Sequence, residues 1–334
     1  MGDIYKVAIV GCGSIGCLKP DNIDGPGTVN ILTHAHAVDH HPRTELQALV
    51  DTNPEQLRKA IAKWNPKRSF HSVYELEVDP EKIDIVIISV PTEAHYEVYR
   101  QVLNLKPKLI IVEKPFCQNL SEIWQIFNDK KEELIPGGIP IPIMVNYVRR
   151  FTAGYQQIQT KIQAEDFGEA LNCRVLYTRG LVHEGCHAID LMNWFFDRFI
   201  DGSAPNAICS ISDRDAKDPT KYVDLEFKKC TNVVFQPCDG RLYGIFEVDI
   251  CFEKTRIRFI DNGLYYEQYP IIERNEWGHK ALSYKLTDVI RRETGLEFAM
   301  YNLINNAVNF LDGKEKLLCT ENDAFMVHEI INGL

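Results

Sequence analysis

The sequence predicts an α/β fold in two parts: a doubly wound parallel sheet, then an α+β domain on an open, mostly antiparallel sheet. Three observations carry this. Short β-rich runs alternate with helical periodicity up to about residue 150, a glycine-rich turn follows the first run, and from residue 207 strand-like runs succeed one another with few helical patterns between them. Repeated βα units require crossovers and give parallel sheets, whereas short strands in series pair antiparallel. With 334 residues, 45% apolar and 25% charged, the chain can fill two cores. The change of rhythm puts the domains at 1–148 and 149–334, with the C-terminal helix packed back on the first.

The runs KVAIV (6–10), LQALV (46–50), DIVIISV (84–90), KLIIVE (108–113) and IMVNYV (143–148) are apolar throughout enough to be strands buried on both faces. Between them, 53–64, 93–105 and 119–134 repeat apolar residues at helical spacing. Asn53 serves as an N-cap with Pro54 at the first helical position, and Asn119 caps the third helix. Beyond Phe151 a helix (152–163) precedes a strand (170–178) and the stretch GLVHEGCHAIDLMNWFF (180–196). The runs AICSIS, YVDLEF, TNVVFQ, IFEVDICF, TRIRFI and GLYYEQY follow as strands, and helices at 295–311 and 321–333 close the chain.

A net charge of −10 disfavours non-specific binding to nucleic acid or anionic membrane, which needs a basic surface. The opening MGDIYKVAIVGCG has an apolar run too short for a signal peptide, and IDIVIISV (83–90) is strand-sized, far below a membrane span. Ten cysteines without a CxxC pair read as reduced thiols in a cytoplasmic protein.

VAIVGCGSIG places Gly11, Gly13 and Gly16 directly after the first strand. Gly11 suits the tight turn, Gly13 lets backbone approach a pyrophosphate, and Gly16 lets helix pack on strand, the arrangement of a dinucleotide-binding loop. Asp51 ends the second strand, where a carboxylate accepts both hydroxyls of the adenosine ribose and repels a 2′-phosphate. NAD is therefore expected over NADP. Asp51 lies 35 residues after Gly16, against about 20 in the usual motif. The excess is CLKPDNIDGPGTVNIL (17–32), whose prolines and glycines break the first helix before a helical pattern resumes at 33–41. This segment is expected to reach toward the nicotinamide end of the cleft and cover or select the substrate.

VPTEAH (90–95) and EKPF (113–116), added to the glycine loop, make the chain resemble the glucose–fructose oxidoreductase, inositol dehydrogenase and MocA-like (Gfo/Idh/MocA) family of pyridine-nucleotide oxidoreductases. NYVRRF (146–151) resembles the crossing into that family's second domain, and DFGEA (166–170) the start of its open sheet. The resemblance implies a Rossmann domain and hydride transfer to or from a sugar, polyol or nucleotide-linked sugar. It also implies a homodimer or homotetramer formed through the open face of the second sheet. It places Lys114 between nicotinamide and substrate, and implies cofactor contacts from Ser14 and Ile15 of the loop, from Pro91, Thr92 and His95, and from Glu113 beside Lys114.

The family's second motif, roughly Asp-x-Gly-x-His-x-x-Asp, falls on HEGCHAID: Gly185, His187 and Asp190 match, while His183 replaces the aspartate. Hydride transfer from an alcohol needs a base for the hydroxyl proton, which a histidine supplies, and a cation for the developing oxyanion, which a lysine supplies. His187 is thus assigned as acid/base and Lys114 as electrostatic partner, with His183 bonding substrate or relaying protons beside Glu184. Three other readings stay open: a zinc site using His183, Cys186 and His187, a Cys186 nucleophile with a histidine base, and a capped helix start. The assignment adopted needs no metal. The same fold also includes dinucleotide binders without turnover. Tyr147, Arg149 and Arg150 stand at the crossover, the arginines either binding a substrate carboxylate or phosphate or serving as packing ion pairs.

Overall fold

Six parallel strands form the first sheet: β1 (Tyr5–Val10), β2 (Thr44–Val50), β3 (Arg68–Phe70), β4 (Ile85–Ile88), β5 (Leu109–Val112) and β6 (Ile143–Val145). Their order is β3-β2-β1-β4-β5-β6. The direction of winding reverses between β1 and β4, which opens a crevice at the carboxyl ends of those strands. Every residue of β4 and β5 is buried, as strands covered on both faces require. The computed structural model describes residues 2–79, 81–131, 140–200, 206–211, 217–274 and 278–334. It divides into one unit of Met1–Phe151 with Glu297–Phe325 and a second of Thr152–Leu296 with Met326–Leu334.

The connecting helices are α1 (His34–His40), α2 (Pro54–Trp64), α3 (Val73–Glu77), α4 (His95–Val102) and α5 (Leu120–Lys131). Asn53 caps α2, its side chain accepting from the Glu55 and Gln56 amides with Pro54 in the first turn, and Asn119 accepts from the Glu122 amide. Several boundaries differ from expectation. The 84–90 run leaves the sheet after Ile88, and the 143–148 run after Val145, where the Tyr147 amide bonds the Val145 carbonyl and turns the chain. The helix expected at 93–105 has 3₁₀ turns at each end, Thr92–Ala94 and Leu103–Leu105. β3 and α3 were not expected; three and five residues are too few to show a period. The end of the helix expected at 119–134 lies outside the described residues.

The second unit contains α6 (Ala153–Gln163), β7 (Ala170–Tyr177), α7 (Cys186–Phe196) and strands β8 (Asn206–Ile211), β9 (Thr220–Phe227), β10 (Cys230–Pro237), β11 (Phe246–Phe252), β12 (Thr255–Ile260), β13 (Tyr265–Arg274), β14 (His279–Leu282) and β15 (Ile290–Glu293). The sheet runs β14-β13-β12-β11-β7-β10-β9-β8, with β15 also on β13. All these pairings are antiparallel except β7 with β10. On β11 and β12 buried and half-buried residues alternate, so one face is core and the other is open. The core face meets α6 and α7, with Tyr155 stacked on Phe259 at 4.1 Å and Phe195 at 6.1 Å from the same ring. On the open face one row crosses five strands with alternating charge. Arg174 stands opposite Asp249, Asp249 opposite Arg258, Arg258 opposite Glu267, and Glu267 opposite Arg291. Opposite charges on facing strands support that register. β14 and β15 were not expected, and β15 is exposed at all four positions, so it carries no apolar alternation to read.

Two helices end the chain. α8 (Ala299–Leu311) groups with the first unit, where Tyr5 donates to Asp312 at 2.9 Å. α9 (Glu321–Asn332) begins in the first unit and ends in the second. Among the described residues no helix is long and apolar enough to cross a membrane.

Candidate functional site

β1 ends in the glycine loop. Gly11 has φ +100°, and a side chain there would lie 2.6 Å from the Ser89 backbone, so only glycine fits. A Cβ at Gly16 would lie 2.1 Å from the Gly11 carbonyl, which makes Gly16 the contact that closes the turn. Gly13 is different: its nearest neighbour would be Gln56 Oε1 at 3.7 Å, leaving room above the loop.

No helix continues directly from this loop. The amides of Cys17 and Leu18 both bond the Gly13 carbonyl, at 2.9 and 2.9 Å, and the chain then departs. It returns at Thr33, which caps α1 by accepting from the His36 amide. The His34 amide bonds the Ile15 carbonyl at 3.1 Å and the Ala35 amide bonds the Gly16 carbonyl at 2.9 Å. Residues 17–32 are thus spliced into the first turn of one helix. The spliced segment packs on α2, with Trp64 Nε1 donating to the Cys17 carbonyl at 2.8 Å and Lys63 Nζ to the carbonyls of Lys19 and Asp24 at 2.7 and 2.5 Å. These contacts run along α2, and with Gly13 and Ser14 the segment lines a cavity of about 960 Å³, while farther on the Ile31 amide bonds the Glu297 carbonyl at 3.0 Å.

A second cavity, of about 610 Å³, opens at the carboxyl ends of β1, β2 and β4, lined among others by Gly11, Gly13, Asp51, Gln56, Tyr74 and Pro91. It collects four of the predicted cofactor residues. Ser14 faces the neighbouring cavity, while Ile15, Gly16, Thr92, His95, Glu113 and Lys114 line neither. Asp51 accepts the Cys12 amide on one carboxylate oxygen and the Asn53 amide on the other, both at 2.7 Å. Each oxygen keeps a lone pair, so the two bonds orient the carboxylate without exhausting it.

His95 is 1% exposed, and its ring nitrogens lie 2.9 Å from the Val90 carbonyl and 3.2 Å from the Phe116 carbonyl. It thus braces the two loops that carry Pro91 and Lys114. Glu113 is also buried. One carboxylate oxygen meets His34 Nε2 at 2.8 Å and Asn146 Nδ2 at 2.6 Å, and the other accepts the Lys114 amide at 3.3 Å. Burial pushes this carboxyl up, but the bonds from His34 and Asn146 and the Lys114 charge outweigh it and hold the group below its ordinary range.

Tyr147, Arg149 and Arg150 are all buried. Arg150 donates to the Leu318 carbonyl at 3.2 Å and to Asp323 at 3.0 Å, an internal ion pair of the packing kind that the sequence left open beside a substrate role.

In the second unit, His183 and Glu184 lie in a π-helical turn, Leu181–Gly185, that runs straight into α7. The turn is fixed by Asp218, whose two carboxylate oxygens accept the Val182 and His183 amides, each at 2.8 Å. Such turns recur at functional sites. The His183 side chain is 63% exposed, with Nε2 at 4.0 Å from Glu184, while His187 is buried in the first turn of α7. Cys186 is buried, its thiol donating to the His183 carbonyl at 3.5 Å. Among the described residues no three His, Cys, Asp or Glu side chains gather as a metal site. Lys114 belongs to the first unit and His183, Glu184 and His187 to the second. Sequence reasoning missed Asp218, His34 and Asn146; each acts on a residue far away in the chain, with no local signal.

Residues 5–135 match a family model described as an oxidoreductase family with an NAD-binding Rossmann fold. An inositol 2-dehydrogenase of Salmonella paratyphi B is 21% identical over 164 residues, 46% of this chain and 47% of that enzyme, so the match spans about half the relative's length. Among solved structures, the WlbA dehydrogenase from Bordetella pertussis in complex with NADH and UDP-GlcNAcA has a TM-score of 0.73 at 16% identity, covering 99% of this chain and 94% of that one. A 3-ketoreductase from Actinomadura kijaniata in complex with TDP-benzene and NADP has a TM-score of 0.70 at 14% identity, covering 99% and 97%. At these identities the structural likeness establishes the fold.

Proposed function

We propose that this chain, whose residues 5–135 are the NAD-binding Rossmann domain of the Gfo/Idh/MocA oxidoreductases, is a dehydrogenase or reductase acting on a sugar, polyol or nucleotide-linked sugar. The first unit holds the dinucleotide and the second the substrate. The observation that carries the reading is the cavity at the carboxyl ends of β1, β2 and β4, where Gly11, Gly13, Asp51 and Pro91 meet. The open space over Gly13 and the remaining lone pairs on Asp51 fit a pyrophosphate and a ribose diol. When bound, NAD supplies the hydride acceptor or donor. His187 takes the substrate hydroxyl proton in oxidation and returns one in reduction, while the Lys114 ammonium stabilises the oxygen as negative charge develops. His183 and Glu184, beside His187 in sequence, contact the substrate or pass protons toward solvent. Tyr147 and Arg149 complete the proposed set of substrate contacts. Self-association into a homodimer or homotetramer uses the open sheet face, whose charged row makes that contact sensitive to salt.

His183 in the place of the family's aspartate favours a second reading, a dinucleotide- or sugar-binding regulator on the same fold. Fluorescence titration with NADH and NADPH, followed by a turnover screen of polyols, sugars and nucleotide sugars, separates the two. Wild type should prefer NADH by at least ~1.4 kcal/mol, about tenfold, and Asp51→Ala should narrow the gap. Equal or tighter NADPH binding would overturn the cofactor assignment. Tight NADH binding without turnover across the screen would favour the regulator.

A further inference from the structure

α1 carries two buried histidines two residues apart, and each meets a carboxylate from another part of the first unit. His36 Nδ1 lies 3.0 Å from Asp24, which sits in the spliced segment with no exposure and also accepts the Leu32 amide at 2.6 Å and the Thr33 hydroxyl at 2.7 Å. These bonds tie the end of the segment to the cap of α1. His34, fully buried, turns from the same helix to Glu113, the residue before Lys114. A buried carboxylate persists only when its oxygens are paired. Glu113 divides its pairing between His34 and Asn146 on one oxygen and the Lys114 amide on the other.

We infer that His34 is a positioning residue: by fixing the Glu113 carboxylate it holds the Lys114 backbone and sets a negative charge beside the lysine, and Asp24 in the spliced segment holds His34 in register to do so. This rests on the reading of Lys114 as the cation of the hydride transfer. The arrangement gives the segment a task other than the substrate cover expected of it. It anchors the helix that steadies the lysine, and it acts from the α2 side.

The test needs no substrate. Hydrogen exchange at the Lys114 amide, resolved by fragmentation mass spectrometry, reports whether Glu113 still accepts it. His34→Phe should speed that exchange by about tenfold or more while exchange in β1, β2 and β4 stays as in wild type. His34→Gln, which keeps a donor, should restore protection to within about threefold. NADH affinity, read by fluorescence, should stay within about twofold in both. Should His34→Phe fail to fold, Glu113→Gln provides the second arm, with the same local loss expected. Unchanged exchange at Lys114 in His34→Phe (or in Glu113→Gln, should His34→Phe not fold), or a His34→Gln variant as unprotected as His34→Phe, would overturn the inference. Lys114→Ala assayed for turnover tests the underlying reading separately. Full activity there would remove the lysine from the chemistry while leaving the exchange result to stand or fall alone.

Discussion

Two stretches of this chain place histidines close together, and they differ in burial and in partners. His34 and His36 on α1 are buried and bonded to carboxylates 79 and 12 residues away. His183 and His187 lie on a π turn and the helix it leads into, one largely exposed and one buried. The second pair announces itself, because glycine, cysteine and glutamate crowd around it. The first reads as a helix with unusual composition. A cluster of chemically active residues in sequence therefore marks where to look for reactivity, and says little about which histidines the fold depends on. Burial with a charged partner makes that second distinction, and only tertiary structure supplies it.

The largest effect that tests this contrast is on turnover. Lys114→Ala and His187→Ala should each lower kcat by roughly 10²–10⁴-fold with NADH affinity nearly intact. Full activity in the His187 variant would remove the contrast, since neither pair would then be catalytic.

The next effect concerns a histidine that meets no carboxylate among the described residues. His328 on α9 is buried, its Nε2 has no hydrogen-bond partner among the described residues, and desolvation pushes its pKa down to about 4. Because the folded value lies below the unfolded one, the unfolded chain binds the proton first. Stability from the neutral ring is present at neutral pH and is lost as pH falls from about 6.5 toward about 4, up to ~3 kcal/mol in all. Denaturant titrations across that window should show His328→Leu losing less stability than wild type. Parallel slopes would mean the ring is solvated.

The smallest effect concerns His183. With its side chain 63% exposed, His183→Ala should change stability by no more than about 0.5 kcal/mol, whatever it does to substrate handling. A loss of several kcal/mol would place it among the structural histidines.

Much of the fold was legible because burial writes itself as period. The continuous apolar runs of β4 and β5, the alternation of β11 and β12, and the Asn53-Pro54 cap were all readable. What escaped was either short or polar, such as β3, α3 and β15, or set by partners elsewhere. The glycine loop and Asp51 could be placed together because each ends a strand readable as an apolar run, although the interval between them is longer than the usual motif. The burial of Arg150 against Asp323 could not, since an arginine beside another arginine looks the same whether it faces ligand or a helix end. The course of the spliced segment is hidden for a similar reason: its prolines and glycines reveal a departure from the helix, while its path is held by distant partners, Lys63 and Trp64 on α2 and the Glu297 carbonyl.

The splice in the first helix has one more consequence, a matter of phase. The amides of His34 and Ala35 already bond the carbonyls of Ile15 and Gly16, as residues four apart in a continuous helix would. Excising residues 17–31, fifteen in all, would set Leu32 directly after Gly16 and give those pairs that spacing in the chain itself. Excising one more or one fewer would rotate everything downstream by about 100° and swing His34 away from Glu113. The segment thus behaves like a parenthesis in a sentence. What stands inside it can change in length, provided Asp24 keeps its bonds to the cap of α1 and the helix resumes on the same beat.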